Sequence, residues 1–121
     1  MRFDLADYLR RYPQELVFGD EDPGTVLDRY HVPDYELVND GLVLDRERLL
    51  AHARPARKNA VAVTVDVQEA LVDGDRVAAR YQLAATMRNG TTIATQIYMF
   101  GRLAADGRLA HVDQATRILR D

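Results

Sequence analysis

All four prolines of this chain, Pro13, Pro23, Pro33 and Pro55, fall within the first 55 of its 121 residues. Proline has no amide proton to give a ladder, so it is confined to helix starts, turns, sheet edges and bulges. A long sheet therefore has to lie after Pro55, and the sequence there reads as one. Val61, Val63, Val65 and Val67 alternate strictly with other residues, the period-2 signature of a half-buried strand. Strands are expected over 60–72, 76–87, 92–103 and 109–118, separated by Asp73-Gly74, Asn89-Gly90 and Asp106-Gly107. Asn-Gly is the strongest short hairpin signal, because a type I′ turn needs positive φ at both central residues.

The proline-bearing third reads as helix and loop. Asp4 can cap a helix in which Leu5, Tyr8, Leu9, Tyr12 and Leu16 recur at helical spacing, and Pro13 must kink it or begin a new one. Gly19-Asp20-Glu21-Asp22-Pro23-Gly24 is a turn, and a short helix carrying Val26, Leu27 and Tyr30 follows until Pro33-Asp34 breaks it. A short strand is expected over 35–38, ended by Asn39-Asp40-Gly41. Asp45 caps a helix over 46–54, closed by Pro55. Helices first and an antiparallel meander afterwards define an α+β architecture. Length fits one domain over 1–121, long enough to bury a core without disulfide or metal staples.

Composition removes several function classes. There is no cysteine, hence no disulfide, thiolate metal site or cysteine nucleophile. A formal charge of −3 argues against a nucleic-acid partner, and Arg54-Pro55-Ala56-Arg57-Lys58, the one basic cluster, reads as a solvated helix end. His31, His52 and His111 lack metal-ligand spacing, so no metal and no cofactor is expected. Met1-Arg2-Phe3-Asp4-Leu5 gains an acid before any apolar run, and no apolar run approaches the roughly 20 residues that span a bilayer. A cytoplasmic protein with no membrane partner is the expectation.

Two-residue turns would fix which residues share a sheet face. They place Val65 opposite Gln82, Gln82 opposite Ile97, and Ile97 opposite Thr116. One face then carries Val63, Val65, Val67, Arg80, Gln82, Thr95, Ile97, Met99, Val112, Gln114 and Thr116. Roofed by the helices, that face either encloses a cavity with a few placed polar groups or is simply the core. The other face carries Tyr81, Leu83, Tyr98 and Phe100 among charges, with no chain left to cover it, which points to a homodimer.

Several local motifs carry a family resemblance. They are Phe18-Gly19-Asp20-Glu21-Asp22, Tyr30-His31-Val32-Pro33-Asp34-Tyr35, Gly41-Leu42-Val43-Leu44-Asp45-Arg46, and Phe100-Gly101-Arg102-Leu103 through Asp106-Gly107-Arg108-Leu109. In order and spacing the chain resembles the nuclear transport factor 2-like fold, in its SnoaL-like polyketide cyclase and ketosteroid isomerase branch. The resemblance implies a cone of helices against a strongly bent sheet, an apolar pocket inside it, and dimerisation through the outer face. It also implies where chemistry would sit. The isomerase branch uses a tyrosine on the first helix, an aspartate base at the end of the first strand and a protonated aspartate on the penultimate strand. On this sequence those places fall at Tyr12, at Asn39 with Asp40 adjacent, and at Met99. Two of the three acid–base roles have no proton-transferring group there.

Asp40 is the best candidate base, since desolvation in an apolar cone would raise its pKa, although Asn-Asp-Gly is first of all a turn. Tyr12 could polarise a carbonyl, with Tyr8 one turn earlier. His31, near the expected cone mouth, has the right pKa for acid–base work or is a plain loop residue. Gln82 and Gln114 would hydrogen-bond a ligand oxygen, alongside Asn39, Thr95, Met99 and Thr116 in the pocket wall. Asp113 faces outward in this register and would become the base if the register slipped by one. The expected function is binding of a small apolar oxygenated molecule, polyketide- or terpenoid-like. Cofactor-independent cyclisation, isomerisation or dehydration goes with it, or else a non-catalytic binding or dimerisation module.

Overall fold

The computed structural model describes residues 3–120; Met1 and Arg2, the first two residues of the acid-bearing N-terminal stretch Met1-Arg2-Phe3-Asp4-Leu5, and Asp121 lie outside them. Each helix begins at an aspartate. Asp4 opens α1 (Leu5–Phe18), its carboxylate accepting from Asp7 N at 3.0 Å, and Asp22 opens α2 (Pro23–Tyr30), accepting from Gly24 N at 3.0 Å. Asp45 opens α3 (Arg46–Asn59) by accepting from Arg48 N at 3.0 Å. These bonds satisfy amide protons that a helix start cannot pair internally. Pro13 and Pro55 both lie inside their helices, so α3 runs past Pro55 to Asn59 instead of closing there. Among the described residues no helix is long and apolar enough to cross a membrane.

Six strands form one sheet in the order β2-β1-β6-β5-β4-β3, from β1 (His31–Asn39), β2 (Leu42–Leu44), β3 (Ala60–Asp73), β4 (Arg76–Met87), β5 (Thr92–Leu103) and β6 (Leu109–Leu119). The four long strands are the expected meander, but β1 adds to β6 in parallel, so the sheet is mixed. β1 begins four residues earlier than expected and contains Pro33. Its pairing with β6 is irregular between His31 and Glu36, so the missing amide proton breaks no regular ladder. The helices roof one face of this sheet, giving the α+β cone, and α1 packs across β3 over a core that includes Leu5, Leu9, Val77, Ile97 and Met99.

Three of the four meander strands present the expected faces, and β4 is reversed. Two one-residue irregularities cause this. The β3–β4 turn closes on Gly74-Asp75, with Asp73 opposite Arg76, and a bulge between Val67 and Glu69 then shifts the pairing by one residue, so Val65 meets Leu83 and not Gln82. At the other end, Asn89-Gly90 does not make a two-residue type I′ turn. Met87 N donates to Thr91 O at 2.8 Å and Gly90 N to Met87 O at 2.9 Å, with positive φ at Gly90 alone. This is a three-residue loop, and it sets Tyr81 opposite Ile97 and Gln82 opposite Gln96. Tyr81 and Leu83, expected outside, therefore face the helices, and Arg80 and Gln82, expected inside, face out. The loop before β6 also has three residues, but a compensating shift between Arg102 and Leu103 restores the expected pairing of Ile97 with Thr116.

Candidate functional site

The inner face and the helices enclose a chamber of about 400 Å³. From α1 come Tyr8, Leu9, Tyr12 and Leu16, and from β1 His31, Tyr35 and Leu37. β4 supplies Tyr81, Leu83 and Met87, β5 Ile97 and Met99, β6 Val112 and Gln114. No aspartate, glutamate, lysine or arginine is among the residues lining it. A larger open cleft of about 590 Å³ lies beside the N-terminal end of α1, but its charged side chains are already engaged, Asp4 as the α1 cap and the others in ion pairs. Arg29 pairs with Glu15 and Glu21, Arg108 with Asp106, and Asp7 with Arg11. The chamber, where Tyr12, Tyr35 and Tyr81 have no hydrogen-bond partner among the described residues, is the candidate site.

Its deep end is a cluster of rings. Tyr8 stacks on Tyr12 with centroids 5.3 Å apart, and His31 lies 4.9 Å from Tyr12 and 4.2 Å from Tyr35. His31 caps α2 and begins β1, and the residue is 1 % exposed. Its Nδ1 sits 2.7 Å from the carbonyl oxygen of Leu27, and its Nε2 2.7 Å from the Tyr8 hydroxyl. A carbonyl can only accept, so Nδ1 carries the proton and the neutral ring's Nε2 accepts from Tyr8. Burial lowers the His31 pKa to about 4, against the smaller opposing effects of the Leu27 bond and Asp28, and so keeps the ring neutral.

Tyr12, Tyr35 and Tyr81 differ from Tyr8. Burial raises all three hydroxyl pKa values, the neighbouring tyrosines add to the rise at Tyr12 and Tyr35, and no hydrogen bond contributes at any of them. Each hydroxyl is thus a neutral donor with no partner among the described residues. Tyr30, at the rim, is bound instead: its hydroxyl donates to Glu15 at 2.6 Å, and burial with that carboxylate pushes its pKa up to about 12. Gln114 donates its Nε2 to Asn39 Oδ1 at 2.8 Å, which leaves its carbonyl oxygen on the chamber wall.

The sequence-derived candidates divide accordingly. Tyr8, Tyr12, His31, Met99 and Gln114 line the chamber. Asn39 stands beside Gln114 on the neighbouring strand and accepts from its amide. Thr95 shares the β5 face of Ile97 without entering the chamber wall, and Thr116 is committed to Asp40. Gln82 is outside, in a chain of amides: it donates to Gln96 at 3.1 Å, and Gln96, 3 % exposed, donates to Gln68 at 2.7 Å. Arg80 is outside too and pairs with Glu69. Asp113 stands opposite Phe100, exposed on the outer face as expected without a slip.

Asp40 does not meet the expectation of a desolvated carboxylate. It is an exposed turn residue with φ +51°, and its carboxylate accepts from the amide (2.8 Å) and hydroxyl of Thr116. Those bonds hold its pKa below the usual carboxylate range, the opposite of the shift a base near neutral pH needs. Two site residues are missing from the sequence-derived candidates: Tyr81, expected instead on the outer, dimer-forming face, and Tyr35, for which the one available signal was that four of the six tyrosines lie within the first 35 residues.

A bent sheet roofed by helices around an uncharged, tyrosine-lined chamber defines a cone-shaped small-molecule-binding fold. The SnoaL-like domain family model matches residues 9–112, and the chain belongs to that family. No curated protein sequence matches. Solved structures share the fold. A nuclear transport factor 2-like protein of unknown function from Exiguobacterium sp. 255-15 superposes with TM-score 0.74 at 14% identity, over 93% of this chain and 97% of that one. IdmH, a proposed polyketide cyclase from Streptomyces antibioticus, gives 0.67 at 19% identity, over 93% and 88%. A hypothetical protein with a ketosteroid isomerase-like fold from Catenulispora acidiphila DSM 44928 gives 0.63 at 15% identity, over 85% and 79%.

Proposed function

We propose that this protein binds a neutral, largely apolar, oxygenated small molecule, of polyketide or terpenoid type, within the chamber. The observation that carries this reading is the set of hydroxyls on Tyr12, Tyr35 and Tyr81, unpartnered in a space with no ionised wall residue. These hydroxyls are not sealed off but open on the chamber, so a ligand carbonyl can accept from them in place of water. A carboxylate or ammonium ligand would find no opposite charge there and would lose its hydration.

A catalytic reading has one specific support. Neutral donors fixed in an apolar space stabilise an enol or enolate oxygen as it forms, the electrostatic part of a cofactor-independent cyclisation or isomerisation. The base would not be Asp40. A planar ketone such as 1-tetralone, titrated by calorimetry, tests both readings. Replacing Tyr35 and Tyr81 together by Phe is expected to weaken binding roughly tenfold, about one modest hydrogen bond's worth or slightly more. Asp40→Asn is expected to leave affinity unchanged. Equal affinity of the double variant, or a loss on Asp40→Asn, would sink the assignment.

We also propose a homodimer through the outer sheet face. Phe100 is 72 % exposed and Tyr98 46 %, and Leu71, Ala78 and Phe100 lie side by side across β3, β4 and β5. An exposed row of this kind suits the apolar centre of an interface. Light scattering on a sizing column should give twice the chain mass for the native protein and the chain mass for Phe100→Glu. A native monomer would refute it.

A further inference from the structure

We propose that Tyr8 meets the ligand as a hydrogen-bond acceptor, fixed in that role by His31, so that the chamber selects a ligand with a hydroxyl or N–H group at its deep end. The inference rests on the chamber being the ligand site. A tyrosine hydroxyl has one proton and two lone pairs. The Tyr8 proton is spent on His31 Nε2, because Nδ1 already carries a proton for the Leu27 carbonyl. No other side chain among the described residues bonds the Tyr8 oxygen, which leaves its lone pairs without a protein side-chain partner on a residue that lines both the chamber and the open cleft beside it. Donating to the imidazole also polarises that oxygen and makes it a better acceptor.

Tyr12, Tyr35 and Tyr81 have the opposite polarity, each with a proton to give. The chamber thus offers one acceptor and several donors around an apolar space. Its complement is a neutral molecule with a hydroxyl on one part and a carbonyl on another, that is, a hydroxyaryl ketone or hydroxyquinone. A simple hydrocarbon, an ether or a molecule with carbonyls alone leaves Tyr8 unanswered. His31 is here a positioning residue, acting on the ligand only through Tyr8.

The test compares 5-hydroxy-1-tetralone with 5-methoxy-1-tetralone and unsubstituted 1-tetralone, titrated by calorimetry. Native protein is expected to prefer the hydroxyl compound roughly five- to tenfold. In Tyr8→Phe that preference disappears while the methoxy compound binds as before. In His31→Leu the Tyr8 proton is released, and the preference shrinks or reverses toward the methoxy compound. Where His31→Leu does not fold, nitrogen-15 spectra of the native histidines decide: His31 should show a protonated Nδ1 and a bare Nε2 at pH 7. Equal binding of all three compounds, or a proton on Nε2, overturns the role of Tyr8. Failure of all three to bind overturns the chamber as ligand site, and the ligand class with it.

Discussion

Acidification from pH 6.5 to about 4 is expected to remove roughly 3 kcal/mol of folding stability through His31 alone. The ring's ordinary pKa is 6.5 and burial lowers it to about 4 in the folded chain. Each unit of difference is worth about 1.4 kcal/mol. Above pH 6.5 the ring is neutral in both states and the contribution is complete. As pH falls through 6.5 the unfolded chain takes up a proton that the folded chain refuses, so the equilibrium moves toward unfolding. The loss ends near pH 4, where the folded ring also protonates. Urea titrations at half-unit steps should show this slope in native protein and its absence in His31→Leu. That variant starts lower, since Tyr8 and the Leu27 carbonyl each lose a partner. Asp28, Glu21, Asp40 and Asp106 have lowered pKa values, and their contributions are lost at more acid pH. A flat native profile from pH 6.5 to 4.5 would mean that His31 is not buried as a neutral ring, and the polarity assigned to Tyr8 would fall with it.

What could be read from the sequence was what repeats. Asp4 and Asp45 announced their helices through side chains that suit an N-cap, and the alternating valines of β3 announced its inner face. The faces of β5 and β6 also followed, because the three-residue loop between them is offset by a shift at Arg102. β4 did not follow. The bulge at Val67 leaves no mark in an alternating run, and Arg88-Asn89-Gly90-Thr91 is compatible with a two- or a three-residue loop. A one-residue change exchanges every side chain of a strand, so Gln82 left the site and Tyr81 entered it. Asp40 shows a different limit. Its proximity to the expected catalytic position was legible, but its bonds to Thr116 come from a strand 76 residues away in sequence. His31 could be seen as a histidine near the cone; that it fixes the direction of the Tyr8 proton depends on the Leu27 carbonyl at the end of α2.

Gly101 marks the tightest point behind the chamber, and filling it is expected to cost more than an ordinary strand substitution. A Cβ there would lie 2.9 Å from Val77 Cγ2, 3.1 Å from the carbonyl oxygen of His111 and 3.2 Å from Val112 Cγ2. Lack of space, not backbone conformation, demands glycine. Val77 and Val112 are 2 % and 3 % exposed, so neither has free volume to retreat into, and the His111 carbonyl belongs to the β6 backbone. In open surroundings Gly→Ala in a strand gains about 0.5–1 kcal/mol. Here overpacking outweighs that gain, and Gly101→Ala should lose about 1–3 kcal/mol. Val112 lines the chamber, so the strain also reaches the ligand site, and affinity for 1-tetralone should drop in the same variant. Val77→Ala removes the nearest obstacle. Alone it creates a cavity and is destabilising, but in the Gly101→Ala background the new methyl occupies part of that space. The two changes are therefore expected to be non-additive, the double variant being at least about 1 kcal/mol more stable than the sum of the single losses predicts. Simple additivity in urea unfolding would show that the contact with Val77 is not what excludes a side chain at Gly101.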